Sequence, residues 1–152
     1  MKLLGVVVAL IILLPEAVFS QAEKPSASNP DTAIRAVMQS QADAWNHHDL
    51  EQFMAGYWNS PDLTFFSGTT ETRGWAPTLE RYRRTYQAEG HSMGTLSFSE
   101  LQVEPLGADA AFVRGKFQLA MPSGEQPNGV FTLIFRKFPE GWRIVHDHTC
   151  TH

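Results

Sequence analysis

The first half of the chain carries apolar side chains at helical spacing. Intervals of three and four residues between them predict an amphipathic helix that packs one face against a core. The members of this first stripe are Ile34, Val37, Met38, Gln41 and Trp45. Asn29 is a typical capping residue and Pro30 suits the first helical turn, so the helix is expected to begin there.

Two further helices are predicted before the middle of the chain. Asp49 is placed to cap a second, short helix. A third helix is predicted over residues 75–89, and Gly90 is a residue that commonly ends helices. Between the second and third helices, apolar and β-branched residues predict two short strands at residues 63–66 and 71–73.

From residue 95 onward the hydrophobic period changes to two, which is typical of strands. The four alternating segments cover residues 95–104, 110–120, 130–138 and 141–152. The alternation shifts by one residue between Phe98 and Leu101, and this shift predicts a β-bulge near Ser99 and Glu100. Helices gathered on one side of a sheet give an α+β fold. We therefore predict a cone with three N-terminal helices packed on a strongly bent, mostly antiparallel sheet.

The first 20 residues have the pattern of a secretory signal peptide. Lys2 precedes an apolar run over residues 3–14, and small residues lead up to Ser20. The run is shorter than the ~20 residues that a membrane span needs. We expect residues 1–20 to be a cleaved signal peptide, residues 21–30 a disordered tether and residues 31–150 a single domain. A secreted or periplasmic protein follows, with an uncleaved membrane anchor as the alternative.

Composition narrows the classes of partner. The formal net charge is −4, and the one basic cluster, at residues 81–84, is small, so nucleic acid is not an expected partner. No membrane contact is expected once the signal is removed. Cys150 is the single cysteine, which leaves no internal disulfide. Phosphate-binding and dinucleotide motifs are missing from the sequence, and no cofactor is expected.

The last predicted strand runs from an apolar start into polar residues that could do chemistry. Strict alternation places Trp142, Ile144, His146 and His148 on one face and Asp147 on the other. We take His146, His148 and Asp147 as candidate catalytic residues, since a histidine can act as acid or base near neutral pH.

Two other roles for these histidines remain open. They could be hydrogen-bonded pocket or interface residues, or they could ligate a metal, since imidazole suits zinc, copper or iron. Cys150 and His152 continue the same face. Four residues along a straight strand are too far apart to surround one ion, so no metal ligands are assigned.

Two motifs carry a resemblance to a known family. The segments Ala44-Trp45-Asn46-His47-His48-Asp49-Leu50 and Gly141-Trp142-Arg143-Ile144-Val145-His146-Asp147-His148-Thr149 resemble those of the nuclear transport factor 2-like superfamily. The SnoaL-like and ketosteroid-isomerase-like bacterial proteins are the most similar branch, and the end motif also resembles the association domain of calcium/calmodulin-dependent protein kinase II. The resemblance implies a cone with a pocket at its open end and a homodimer through the outer face of the sheet.

The sequence departs from the steroid isomerases where their chemistry lies. The resemblance implies a carboxylate base near Phe65, an acid at Leu133 and a tyrosine at Gln41, and this chain has none of these residue types there. The expected pocket is therefore mostly apolar, with a few polar groups. Its predicted lining comprises Gln41, Trp45, Tyr57, Phe65, Tyr86 and Leu133.

These patterns lead to one main functional hypothesis and two alternatives. We expect the domain to bind a small apolar organic molecule. If it also catalyses a reaction, we expect an isomerase, cyclase or dehydratase, although the usual carboxylate base is missing. The first alternative is a non-catalytic dimerisation or assembly module, and the weaker one is a histidine-based metal-binding domain. A pocket that is open to solvent and lined by Gln41, Tyr57, His146 and His148 would favour the main hypothesis. A cone filled with Trp and Phe side chains would favour the assembly module.

Overall fold

The computed structural model describes residues 29–151. The predicted signal peptide, the tether up to residue 28 and His152 lie outside the described residues. Asn29 caps the first helix, which begins at Pro30, so the fold starts within the last two residues assigned to the tether. Within residues 29–151, none of the helices combines the length and the apolar character needed to cross a membrane.

Three helices form one layer: α1 (Pro30–Asn46), α2 (Leu50–Met54) and α3 (Trp75–Tyr86). The Asn29 side chain accepts a hydrogen bond from the Asp31 N–H at 3.1 Å, as its capping role predicts. Asp49 caps α2 in the same way, accepting from the Gln52 N–H at 2.9 Å. The third helix ends three residues earlier than predicted.

Six strands form the second layer. They are β1 (Thr64–Ser67), β2 (Thr70–Arg73), β3 (Thr95–Pro105), β4 (Ala110–Ala120), β5 (Asn128–Phe138) and β6 (Gly141–Thr151). Their order in the sheet is β2-β1-β6-β5-β4-β3. All neighbours pair antiparallel except β1 and β6, which are parallel. The predicted α+β architecture is confirmed.

The predicted bulge in β3 is present. Ser99 pairs with Lys116 and Gln102 with Arg114, so the two residues between them face only Gly115 on β4. Glu100 adopts a left-handed conformation with φ of 52°. A side chain at Gly115 would lie 2.7 Å from the Phe131 ring. The missing side chain therefore lets the sheet bend tightly over its own core.

A second bulge, in β6, reverses the predicted faces of the site residues. Ile144 pairs with Phe135, whereas His146 pairs with the adjacent Ile134, so Val145 has no partner across the strands. Such an extra residue turns the following side chains over. Strict alternation was therefore wrong for this strand beyond Ile144.

The core lies between the helices and the concave face of the sheet. Its largest fully buried side chains are Phe135, Ile34, Met38, Met54, Leu63, Ile144, Val113 and Thr78. The segment after α2 is tied directly to β6: the Trp58 N–H donates to the Ile144 carbonyl and the Ile144 N–H to the Gly56 carbonyl, both at 2.9 Å. These bonds hold Tyr57 beside Ile144 on β6.

Candidate functional site

A cavity of about 140 Å³ lies between the helices and the concave face of the sheet. All six residues predicted to line a pocket lie on its wall: Gln41, Trp45, Tyr57, Phe65, Tyr86 and Leu133. The interior wall is mostly aromatic and aliphatic, while the partly or fully exposed Ser67, Arg81, Thr85 and Thr151 mark its rim. The cone is therefore open rather than filled.

Asp147 enters this cavity because of the bulge at Val145. Its side chain lies on the same face as Leu133, its partner on β5, and the residue is only 3% exposed. The Tyr57 hydroxyl donates to Asp147 Oδ2 at 2.7 Å. The Thr149 hydroxyl donates to Asp147 Oδ1, also at 2.7 Å. The pocket thus contains a carboxyl group held by two hydroxyl donors.

The surroundings of Asp147 move its titration toward neutral pH. Burial raises the pKa of the carboxyl from its usual 3.8 to about 6, because the charged form loses its hydration. The hydrogen bonds from Thr149 and Tyr57, and the electrostatic interaction with His148, lower this pKa and so act in the opposite direction. The group is therefore poised to hold or release a proton near neutrality.

The phenols beside Asp147 stay neutral. Burial raises the pKa of Tyr57 well above its usual value, and the negative charge of Asp147 raises it further. Burial likewise raises the pKa of Tyr82, with the charge of Asp147 adding to the rise. Neutral phenols keep their protons, so Tyr57 can stabilise the ionised carboxylate as a donor.

Two of the predicted lining residues have polar groups that are engaged elsewhere. Gln41 donates to the Phe53 carbonyl at 3.1 Å, and Trp45 donates to the Met93 carbonyl at 3.1 Å. The Gln41 amide packs over Gly56, where a Cβ would lie only 2.6 Å from its carbon. Both residues shape the wall of the cavity, and neither is positioned as a proton donor to Asp147.

Sequence comparison identifies the family of this domain. A SnoaL-like domain matches residues 34–150. The chain belongs to the SnoaL-like family. A nuclear transport factor 2-like protein of unknown function from Shewanella oneidensis MR-1 is 33% identical, with a TM-score of 0.75 over 80% of this chain and 99% of that one. The predicted superfamily resemblance is confirmed.

More distant structures share the fold alone. A nuclear transport factor 2-like protein from Salmonella enterica is 21% identical, with a TM-score of 0.65 over 80% of this chain and 92% of that one. A cystatin-like protein of unknown function from Nostoc punctiforme is 10% identical, with a TM-score of 0.66 over 80% and 90% of the two chains. The chain matches no curated protein.

The histidines of the SnoaL-like domain lie outside its cavity. His146 and His148 follow the bulge and share the outer face of the sheet with Thr64 and Phe66, their partners on β1. His146 Nδ1 is 2.7 Å from the Thr64 hydroxyl, and burial lowers its pKa. Their predicted place on the same face as Trp142 was therefore wrong, and the geometry gives them no contact with a ligand in the cone.

The metal-binding alternative concerns side chains at the end of β6. His148 Nε2 lies 3.6 Å from the Cys150 sulfur on the outer face. Over residues 29–151, no group of three or more histidine, cysteine or acidic side chains is arranged to hold a metal ion. Of the side chains named for this alternative, His146, His148 and Cys150 lie in the described residues, all on β6, and His152 lies outside them.

The site also contains residues that were not predicted, among them Thr149, Tyr82 and Arg81. Thr149 was missed with the bulge, and Tyr82 was not included in the predicted lining. Arg81 was considered only as part of the small basic cluster at residues 81–84, yet its guanidinium lies over the Phe65 ring, 5.6 Å from the centroid, and it lines the cavity. The sequence carried no signal that separated Arg81 from its neighbours at residues 82–84, because consecutive residues point in different directions around a helix.

Proposed function

We propose that the protein binds a small, mostly apolar organic molecule in its cone and that Asp147 moves a proton on that molecule. The observation that carries this proposal is the buried carboxyl group held between Tyr57 and Thr149 inside an open, largely apolar cavity. Cavities of this make-up, with a few convergent polar groups and a perturbed titratable residue, are typical small-molecule sites.

The geometry suits general acid–base catalysis. With a pKa of about 6, Asp147 is roughly ten times more often ionised than protonated at pH 7. Each carboxylate oxygen accepts one hydroxyl hydrogen bond and keeps a free lone pair that can take a proton from a ligand. Returning that proton at a neighbouring atom is an isomerisation, and returning it to a departing hydroxyl is a dehydration. Asp147 therefore supplies, from β6, the carboxylate missing at the positions the resemblance implied.

Filling the cavity should abolish binding. Isothermal titration with p-cresol, a neutral ring compound, is expected to show one site per chain in the unmodified protein. Leu133 is 3% exposed on the cavity wall, so the larger indole of Leu133→Trp takes up the space that the ring needs. Binding should fall at least tenfold, by roughly 1.4 kcal/mol or more.

Ala36→Trp is the matched control for this experiment. Residue 36 is exposed on α1, so the same indole there leaves the cavity unchanged. Retained binding in this control, together with loss in Leu133→Trp, supports the proposal. Equal binding by both variants would show that p-cresol binds outside the cone, and no binding to the unmodified protein would count against a ligand site.

The outer face of the sheet favours a second role, self-assembly. Phe112, Ile134 and Val145 are only half-buried there, and Val130 is 42% exposed. We propose that this face pairs with a second copy of the chain, because contiguous exposed apolar surface typically marks an interface.

A charge at the centre of this face should separate the subunits. Ile134→Glu places a carboxylate in the proposed contact, where it would be desolvated without a partner. Sedimentation velocity is expected to show a dimer for the unmodified protein and for Ala36→Glu, and a monomer for Ile134→Glu. A monomeric unmodified protein at every concentration tested would contradict the proposed dimer.

A further inference from the structure

Arg81 is the one positively charged residue on the described wall of the cavity, and Asp147 is the one negatively charged residue there. Within residues 29–151 the Arg81 guanidinium makes no salt bridge, although Arg35, Arg83 and Lys116 all do. Among the same residues its one side-chain hydrogen bond is a long one, 3.4 Å, to the Thr72 hydroxyl. Most of the donors of this half-buried cation therefore have no partner in the part of the chain that the structure describes.

The Arg81 charge lies against the aromatic wall of the cavity. Its guanidinium covers the Phe65 ring, and Phe65 is the strand neighbour of Asp147 in the pairing of β1 with β6. Burial raises the pKa of Tyr86, and the positive charge of Arg81 opposes that rise. The Arg81 charge is therefore close enough to influence an aromatic residue of the cavity wall. The two opposite charges therefore border the same aromatic surface without pairing with each other.

The size of the cavity limits what can lie between them. An apolar cavity of about 150 Å³ holds benzene, and this one has a volume of about 140 Å³. Trp45, Phe53 and Tyr82 meet edge to face on its wall, at centroid distances of 5.2–5.9 Å. Such faces and edges suit a single flat or nearly flat six-membered ring.

We propose that Arg81 selects ligands that carry an anionic group, such as a carboxylate, on a single six-membered ring with a second oxygen substituent. The guanidinium binds the anion at the rim through its paired N–H donors. The ring fills the cavity, and the second oxygen reaches Tyr57 and Asp147. This inference rests on the proposed function, since it names the substrate class of the same site.

The test compares an anionic and a neutral ligand of nearly the same shape. Isothermal titration at pH 7.5 measures the affinities of 4-hydroxybenzoate and 4-hydroxybenzamide for the purified protein. The benzoate is expected to bind at least about tenfold more tightly. Arg81→Met should remove this preference, Arg81→Lys should retain part of it, and Arg84→Met, at an exposed position of the same helix, should leave it unchanged.

Each outcome decides the inference, with p-cresol binding measured alongside. Equal affinities for benzoate and benzamide in the unmodified protein overturn the role of Arg81, as does a preference that survives in Arg81→Met. If p-cresol still binds in those cases, only the anion selectivity fails. If no ring compound binds, the proposed function fails with it. Circular dichroism of each variant confirms the fold, and the Arg81→Lys result stands if Arg81→Met does not fold.

Discussion

Replacing Asp147 with asparagine is expected to stabilise the protein more at pH 8 than at pH 4. The folded pKa of about 6 lies above the usual 3.8, so the folded state binds more protons than the unfolded state between these values. Stability contributed by this group is therefore fully present below pH 3.8 and is lost as the pH rises through 6. The free energy of unfolding of the variant, minus that of the unmodified protein, should increase by about 2–3 kcal/mol from pH 4 to pH 8.

Urea denaturation at the two pH values measures this change directly. Leu133→Ala is the matched control, because it alters the same cavity wall without altering an ionisable group. It should lose about 2–5 kcal/mol at both pH values. If the difference in unfolding free energy between Asp147→Asn and the unmodified protein does not change with pH, the carboxyl is not held in the buried site.

A destabilising group in the interior has a functional implication. At neutral pH the ionised Asp147 lowers the stability of the fold, and an uncharged residue of similar shape would not. Groups of this kind are concentrated at binding and catalytic sites, where function offsets the loss. The expected effect therefore connects the stability measurement to the proposed proton transfer.

Removing the Tyr57 hydroxyl should have the second large effect. In Tyr57→Phe the carboxylate loses the donor 2.7 Å from Oδ2, and the charged form is stabilised less. The pKa of Asp147 should rise further, and the free energy of unfolding should fall by about 1.5–3 kcal/mol at pH 8. The loss should be smaller at pH 4, where the carboxyl is protonated in the folded state. Urea denaturation at both pH values checks the size and the pH dependence.

Tyr86→Phe separates this effect from the general loss of a phenol. Tyr86 lines the same cavity, but the hydroxyls bonded to Asp147 are those of Tyr57 and Thr149. Its removal should leave the pH dependence of stability as it is in the unmodified protein. Identical pH profiles for Tyr57→Phe and Tyr86→Phe would rule out the hydrogen bond as the source of the effect.

Most of the fold could be predicted because its signals are local. The capping roles of Asn29 and Asp49 lie in the residue types themselves, and the change from helical to strand spacing is visible in the apolar residues. The bulge in β3 was also visible, because apolar residues on both sides of it, Phe98 and Leu101, fall on different parities.

The bulge in β6 gave no such signal. The inward-facing apolar residues of β6, Trp142 and Ile144, both precede Val145. The residues that follow Val145 are polar on both faces of the strand. Polar side chains do not reveal which face is buried, so alternation carried His146 and His148 to the wrong side of the sheet. The burial of Asp147 depends on the pairing of β6 with β5 and on the contact with Tyr57, which lies 90 residues away in the sequence. Such tertiary contacts are not visible in a local pattern.

The place of Arg81 on the cavity wall could not be predicted from the sequence either. Four neighbouring polar and basic residues point in all directions around an axis, and the sequence does not say which one meets the cavity. The packing of α3 over Phe65 decides that Arg81 does, whereas Arg83 pairs with Glu51 on the exposed side. The residues that could give the site its specificity were therefore set by packing rather than by local pattern.

The central claim is that Asp147 is a buried, proton-exchanging carboxyl group in a ligand cavity. Carbon-13 NMR titration of its side-chain carboxyl, assigned with Asp147→Asn and repeated with saturating p-cresol, tests it most directly. We predict a midpoint near pH 6 in the free protein and a changed resonance when p-cresol is bound. A midpoint near 3.8 that does not respond to the ligand would contradict the claim.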